Sequence, residues 1–93
     1  MPKPLIISMK AAKELNEILK NIGEFTGSAN SIMKFKTGFQ QKFAYISNFP
    51  KACRMLEDGT RQAFYQRYRI IYQEFDNEIL IITVKHSLKK YPE

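Results

Sequence analysis

The sequence predicts an α+β fold in the order β-α-α-β-β-β: an N-terminal strand, an antiparallel helical hairpin, then three antiparallel strands forming a small sheet. Three observations predict it. Apolar residues recur every three or four positions over residues 12–25 and again over residues 32–49, the spacing of two amphipathic helices. Residues 61–86 switch to short β-branched and aromatic runs separated by turn residues. With 93 residues, the chain has room for one modest core that buries about 60% of the unfolded surface. The whole of 1–93 is therefore expected to be a single domain.

Residues 4–9, "PLIISM", form a short apolar run that suits a strand. The stripe Ala12, Leu15, Ile18, Leu19, Ile22 and Phe25 follows, with Lys10, Lys13, Glu14, Glu17 and Lys20 turned away from it. This predicts a helix of about four turns, closing between Gly23 and Gly27. The loop "TGSANS" offers Ser28 as N-cap, because its hydroxyl can accept from an orphan amide two or three residues on. A second stripe, Ile32, Phe35, Phe39, Phe43, Ile46 and Phe49, runs until Asn48 and Pro50 stop it. So short a link between helices implies antiparallel packing. Helical spacing accounts for the four Phe of this stripe as core residues rather than as a base-stacking platform. "KACRMLEDG" reads as a loop with a turn at Asp58-Gly59. Residues 61–66, 68–75 and 79–86 are the expected strands.

Asp76-Asn77 suits a two-residue hairpin turn, since both side chains tolerate a left-handed backbone. Phe75 then faces Glu78, and the ladder pairs Ile71 with Ile82, Arg69 with Val84 and Arg67 with His86. One face is expected to carry Arg67, Arg69, Ile71 and Gln73 with Leu80, Ile82, Val84 and His86. The other would carry Tyr68, Ile70 and Tyr72 with Ile81, Thr83 and Lys85. Arg69 and His86 become diagonal neighbours, and a slip of one residue would part them. Arg67, Arg69 and His86 at one end of one face, followed by Lys89, Lys90 and Tyr91, suit a phosphate: arginine offers a planar fork and lysine a point charge. The plainer alternative is that Arg69 snorkels to the rim or pairs with Glu57 or Asp58.

Charge points the same way. The formal net charge is +6, from 15 Lys and Arg against 9 Asp and Glu, and residues 25–50 carry Lys34, Lys36 and Lys42 with no acid. Such a field favours RNA, DNA or an acidic protein segment. Cys53 is the only cysteine, so an intrachain disulfide is excluded and no Cys/His cluster is available for a structural metal. Cys53 is expected as a small buried apolar group, in keeping with a reducing cytoplasm. No apolar run approaches the roughly 20 residues that cross a bilayer. The opening "MPKPLIISMKAAK" is too weakly apolar for a signal peptide. The chain is expected in the cytoplasm, away from membranes, with no cofactor and no metal.

Four pieces stand in a telling order: "AAKELNEI" in the first helix, "FAYISNFPKACRML" closing the second, "RYRIIYQEFDNEILIITVKH" for the last hairpin, and the tail "HSLKKYP". Together they are spread over residues 11–92. In that order and spacing the sequence resembles the RelE/ParE superfamily of bacterial type II toxins. The resemblance implies a toxin held inactive in a hetero-oligomer with a cognate antitoxin, whose acidic, partly disordered segment folds over the basic face. It also implies one of two targets, since RelE-like members cut mRNA in the ribosomal A site and ParE-like members poison DNA gyrase.

For the nuclease alternative, Arg69 matches the family's "YR" arginine. Arg69 with Lys89 or Lys90 would stabilise charge on phosphorus, His86 would be the acid/base, and Tyr91 would stack or assist. Arg61, Arg67, Lys85 and Lys90 would bind the target or nucleic acid. The chain departs from the RelE-like pattern: Lys89 stands where a second arginine is expected, and the lysines before "YR" are missing. The long helical hairpin and its closing "NFP" favour the ParE-like reading, a gyrase inhibitor. A basic binding module without toxicity is the third possibility.

Overall fold

The computed structural model describes residues 2–88. Its elements run β1 (Leu5–Ile7), α1 (Met9–Thr26), α2 (Ala29–Asn48), a 3-10 turn (Pro50–Ala52), β2 (Arg54–Met55), β3 (Arg61–Tyr65), β4 (Tyr68–Glu74) and β5 (Ile79–His86). The five strands form one mixed sheet in the order β1-β5-β4-β3-β2, with β1 parallel to β5 and every other pair antiparallel. No described helix is long and apolar enough to cross a membrane.

Both helices begin where a serine can cap them. The Ser8 hydroxyl accepts from the Ala11 amide at 3.0 Å, so the strand expected over 4–9 ends at Ile7 and Met9 already belongs to α1. Ser28 caps α2 as expected, accepting from the Ser31 amide at 3.3 Å. Gly27 ends α1 with φ 65°, a left-handed cap that glycine takes without steric penalty. At 18 residues, α1 is a full turn longer than its apolar stripe predicts. The segment expected as plain loop holds β2, whose two residues pair with Arg61 and Gln62. Pairing depends on a remote partner, which the local sequence does not display.

The core lies between the helices and one face of the sheet. Ala11, Phe39 and Ile46 meet Ala63, Ile70, Tyr72, Ile79, Ile81 and Val84, with Leu15, Ile18, Phe35 and Phe43 packed around them. Half-buried Cys53 also packs against this core. Three members of the expected stripes are exposed instead: Ala12, whose neighbour Ala11 takes the core position, Phe49 at 57% and Phe25 at 91%.

Tyr65 locks α2 to the sheet. Its ring lies 4.7 Å from that of Phe39 and 5.9 Å from that of Phe35, and its phenol occupies the place where a Cβ on Gly38 would stand. Glycine at position 38 is therefore a packing requirement. A second lock joins the chain's beginning to the end of β4: Lys3 donates to Glu74 at 2.7 Å and Lys51 at 3.1 Å, with the Glu74 side chain only 13% exposed. The Lys3 hydrogen bond, against some opposition from burial and with help from Lys51, holds the Glu74 carboxyl below its ordinary value of 4.5.

The hairpin of β4 and β5 departs from the expected register. The turn itself is as predicted, with the Phe75 amide donating to the Glu78 carbonyl at 2.7 Å and Gln73 opposite Leu80. A bulge between Ile71 and Tyr72 then takes up Ile82, so Ile71 pairs with Thr83, Arg69 with Lys85 and Tyr68 with His86. One extra residue in β5 exchanges the faces of everything beyond it.

Two measurements test these locks. Gly38→Ala should lower stability by about 1–3 kcal/mol in urea unfolding through overpacking, and the loss should shrink in a Tyr65→Leu background. For Glu74, a carboxyl whose pKa falls on folding stabilises the fold above its unfolded pKa. Wild type should therefore exceed Glu74→Gln in stability above about pH 5, with the difference fading as pH falls through the folded-state pKa.

Candidate functional site

The bulge decides where the basic residues go. Strand alternation puts Phe64, Arg69 and Lys85 in one row on the face opposite Ile70 and Val84, with Gln62, Ile71 and Thr83 as the next row. Tyr68 and His86 lie on the opposite face with Ile70 and Val84, toward the helices. Arg69 and His86, expected on one face as diagonal neighbours, are thus separated by the sheet. The expected pairing of Arg67 with His86 is replaced by a backbone bond, the Ser87 amide donating to the Arg67 carbonyl at 2.7 Å.

The expected site residues from Arg61 to His86 have definite places. Arg69 is half-buried in the row that holds Phe64 and Lys85. Lys85 is only 6% exposed, with its Nζ 4.0 Å from the Glu14 carboxylate. Glu14 also accepts from the Thr83 hydroxyl at 2.6 Å and from the Val84 amide at 3.1 Å. Arg61 braces the backbone, donating to the Cys53 carbonyl at 2.8 Å and the Lys51 carbonyl at 3.4 Å. Beside it the Tyr72 phenol donates to the Pro50 carbonyl at 2.7 Å, and burial, reinforced by Cys53, pushes its pKa upward. His86 packs edge-on against Tyr68 at 5.7 Å, and its Nδ1 accepts from the Leu88 amide at 3.2 Å. Arg67 is exposed in the β3–β4 turn, next to Gln66 with φ 56°. Lys89, Lys90 and Tyr91 lie outside the described residues.

Among the hollows of the described surface, two lie beside Tyr68. At the tip of the helical hairpin, Asn21, Ile22, Phe25, Phe35, Arg67 and Tyr68 line a cleft of about 520 Å³. A polar recess of about 250 Å³, walled by Glu14, Glu17, Lys85 and His86, shares Asn21 and Tyr68 with it. Phe25, Asn21 and Glu17 were legible only as helix-face residues. Their signal was position: Phe25 ends its stripe, in the last turn of α1.

With the fold in view, comparison with known proteins becomes decisive. The family model for the ParE toxin of the type II toxin-antitoxin system, parDE, matches residues 5–91. The chain belongs to the ParE toxin family.

This makes it the toxin component of a type II toxin–antitoxin system, and ParE toxins inhibit DNA gyrase. Solved structures share the fold of this ParE-family chain. A chain of the chromosomal ParDE system of P. aeruginosa matches with a TM-score of 0.77 at 18% identity, over 90% of this chain and 95% of that one. A chain of the RelBE2 toxin–antitoxin complex of Mycobacterium tuberculosis matches with 0.65 at 21% identity, over 92% and 99%. A mutant of the E. coli toxin RelE in the free state matches with 0.64 at 18% identity, over 95% and 86%. A comparison with curated proteins finds no match. The matches to toxin–antitoxin systems imply a cognate antitoxin as partner.

Glu14 is the residue on which the basic end of this ParE-family sheet leans. Glu14→Ala should lower stability by about 2–3 kcal/mol in thermal or urea unfolding, because it leaves the buried Thr83 hydroxyl and the Val84 amide without their acceptor.

Proposed function

We propose that this toxin arrests growth by binding DNA gyrase in the cytoplasm and that it does not cleave mRNA. The observation that carries this reading is the separation of Arg69 from His86 by the β4–β5 bulge. Cleavage by a ribose 2′-hydroxyl needs an acid/base and a charge stabiliser within reach of one phosphate. Here Arg69 lies across the sheet from His86, which packs against Tyr68 with its Nδ1 engaged by the Leu88 amide, and Lys85 is held beside Glu14. Inhibition of a protein target needs no such convergence, only a complementary surface.

The antitoxin is proposed to be acidic, with a segment that is disordered when free and folds on the toxin in a hetero-oligomer. The net charge of +6 and the acid-free stretch from 25 to 50 support this. Between α1 and α2 runs an apolar groove lined by Ile7, Leu15, Leu19, Phe39 and Phe43 with Lys36 at its side, which suits the apolar face of an acidic helix.

Expression from a tight promoter should stop growth without creating new mRNA 5′ ends inside translated codons, and the purified chain should inhibit supercoiling by gyrase. Codon-positioned cleavage that disappears in Arg69→Ala would overturn the reading in favour of the nuclease.

A further inference from the structure

We infer that the cleft at the tip of the helical hairpin is the surface that grips gyrase, and that it takes a protein segment with a large apolar anchor between an acidic and a basic residue. The inference rests on the gyrase reading above and adds the contact surface to it.

Phe25 is the first reason. Its ring is 91% exposed although it closes the apolar stripe of α1. A large apolar side chain left in water beside a hollow is the arrangement of an interface anchor. The hollow is formed with Ile22, Phe35 and Tyr68, and its volume of about 520 Å³ admits a bulky side chain.

The floor is already rigid. Tyr68 is held between Phe39 at 5.9 Å and His86 at 5.7 Å, and Phe35 rests on Tyr65 at 5.9 Å, with Tyr65 seated at Gly38. A surface that needs no ordering on contact loses less free energy on binding. Arg67 is carried on a tight turn in which Gln66, a residue with a side chain, takes φ 56°. Such a backbone persists where the surrounding structure imposes it, and here it presents the guanidinium at the rim.

Charge selects the occupant. Arg67 lines the hollow, and Glu17 lines the recess that shares Asn21 and Tyr68 with it. Glu14 is already engaged by Thr83, Val84 and Lys85, so Glu17 is the carboxylate that faces an incoming group. An acidic antitoxin segment or a nucleic-acid backbone would meet repulsion from Glu17. The α1–α2 groove, whose one charged lining residue is Lys36, suits the antitoxin better. A target segment with an acid against Arg67 and a base against Glu17 is complementary throughout.

The test uses the full-length chain, purified gyrase and the cognate antitoxin, with Phe25→Ala, Arg67→Glu and Glu17→Lys, each checked for folding by circular dichroism. Each variant should raise the concentration that half-inhibits supercoiling by at least ~10-fold while antitoxin affinity stays within about twofold. If wild type inhibits and folded variants inhibit equally, the cleft is not the gyrase surface, though the gyrase reading stands. If wild type does not inhibit at all, that reading falls and this inference with it. Folded variants that lose antitoxin affinity along with inhibition would overturn the assignment by giving the cleft to the antitoxin.

Discussion

The structure depends on satisfying both edges of β5. This strand is almost wholly buried, and a buried backbone amide or carbonyl without a partner is expensive. One edge is met by β4 on either side of the bulged Ile82. On the other, β1 pairs only with Ile79, Leu80 and Ile81, because the chain must turn at Ser8 to start α1. Side chains continue what the strand leaves unfinished. The Ser8 hydroxyl donates to the Ile82 carbonyl at 2.8 Å while it caps α1, and nearly two turns further Glu14 accepts from the Val84 amide. A helix thus completes a strand's ladder, and α1 is tied to the sheet by polar contacts as well as by Ala11, Leu15 and Ile18.

The same stretch of β5 sets the placement of charge. Residues 79–81 lie between two strands, whereas residues from Ile82 onward lie between β4 and α1. The bulge falls at this transition, where strand pairing on one side has ended. Beyond it, Thr83 turns to Glu14 and Lys85 is drawn into the same carboxylate's field. A residue that looks from its formula like an open anion site is thereby enclosed. Arg61 has a comparable fate, spent on the carbonyls that shape the segment after α2. The charged groups left facing solvent near the sheet's end are those of the turns and helix flanks, Arg67 and Glu17 among them. That distribution suits recognition of a protein better than convergence on one phosphate.

Much of this was readable from sequence because it depends on neighbours within a few residues. The Ser28 cap, the helical period, the two-residue turn at Asp76-Asn77 and the bounds of β5 all express local chemistry. The register beyond Ile71 was misread because a bulge has no local signature: Ile82 looks like any strand residue until α1 claims the edge beside it. The strand β2 escaped for a similar reason, its two residues being extended only because β3 lies alongside. Phe25 fitted the period of α1 and was placed in the core on that account. Period tells which face a side chain takes, not whether anything stands opposite.

What the sequence determined by itself was the order of elements, the family, and a basic character suited to an acidic partner. Each follows from the identity and spacing of residues, which need no third dimension. Tertiary structure alone decided which basic side chains meet, which are buried, and which aromatic is left in water. Those outcomes turn on one inserted residue in a ladder and on where a helix ends relative to a sheet. Because side chains alternate across a strand, a shift of one position moves a charge to the other side of the molecule.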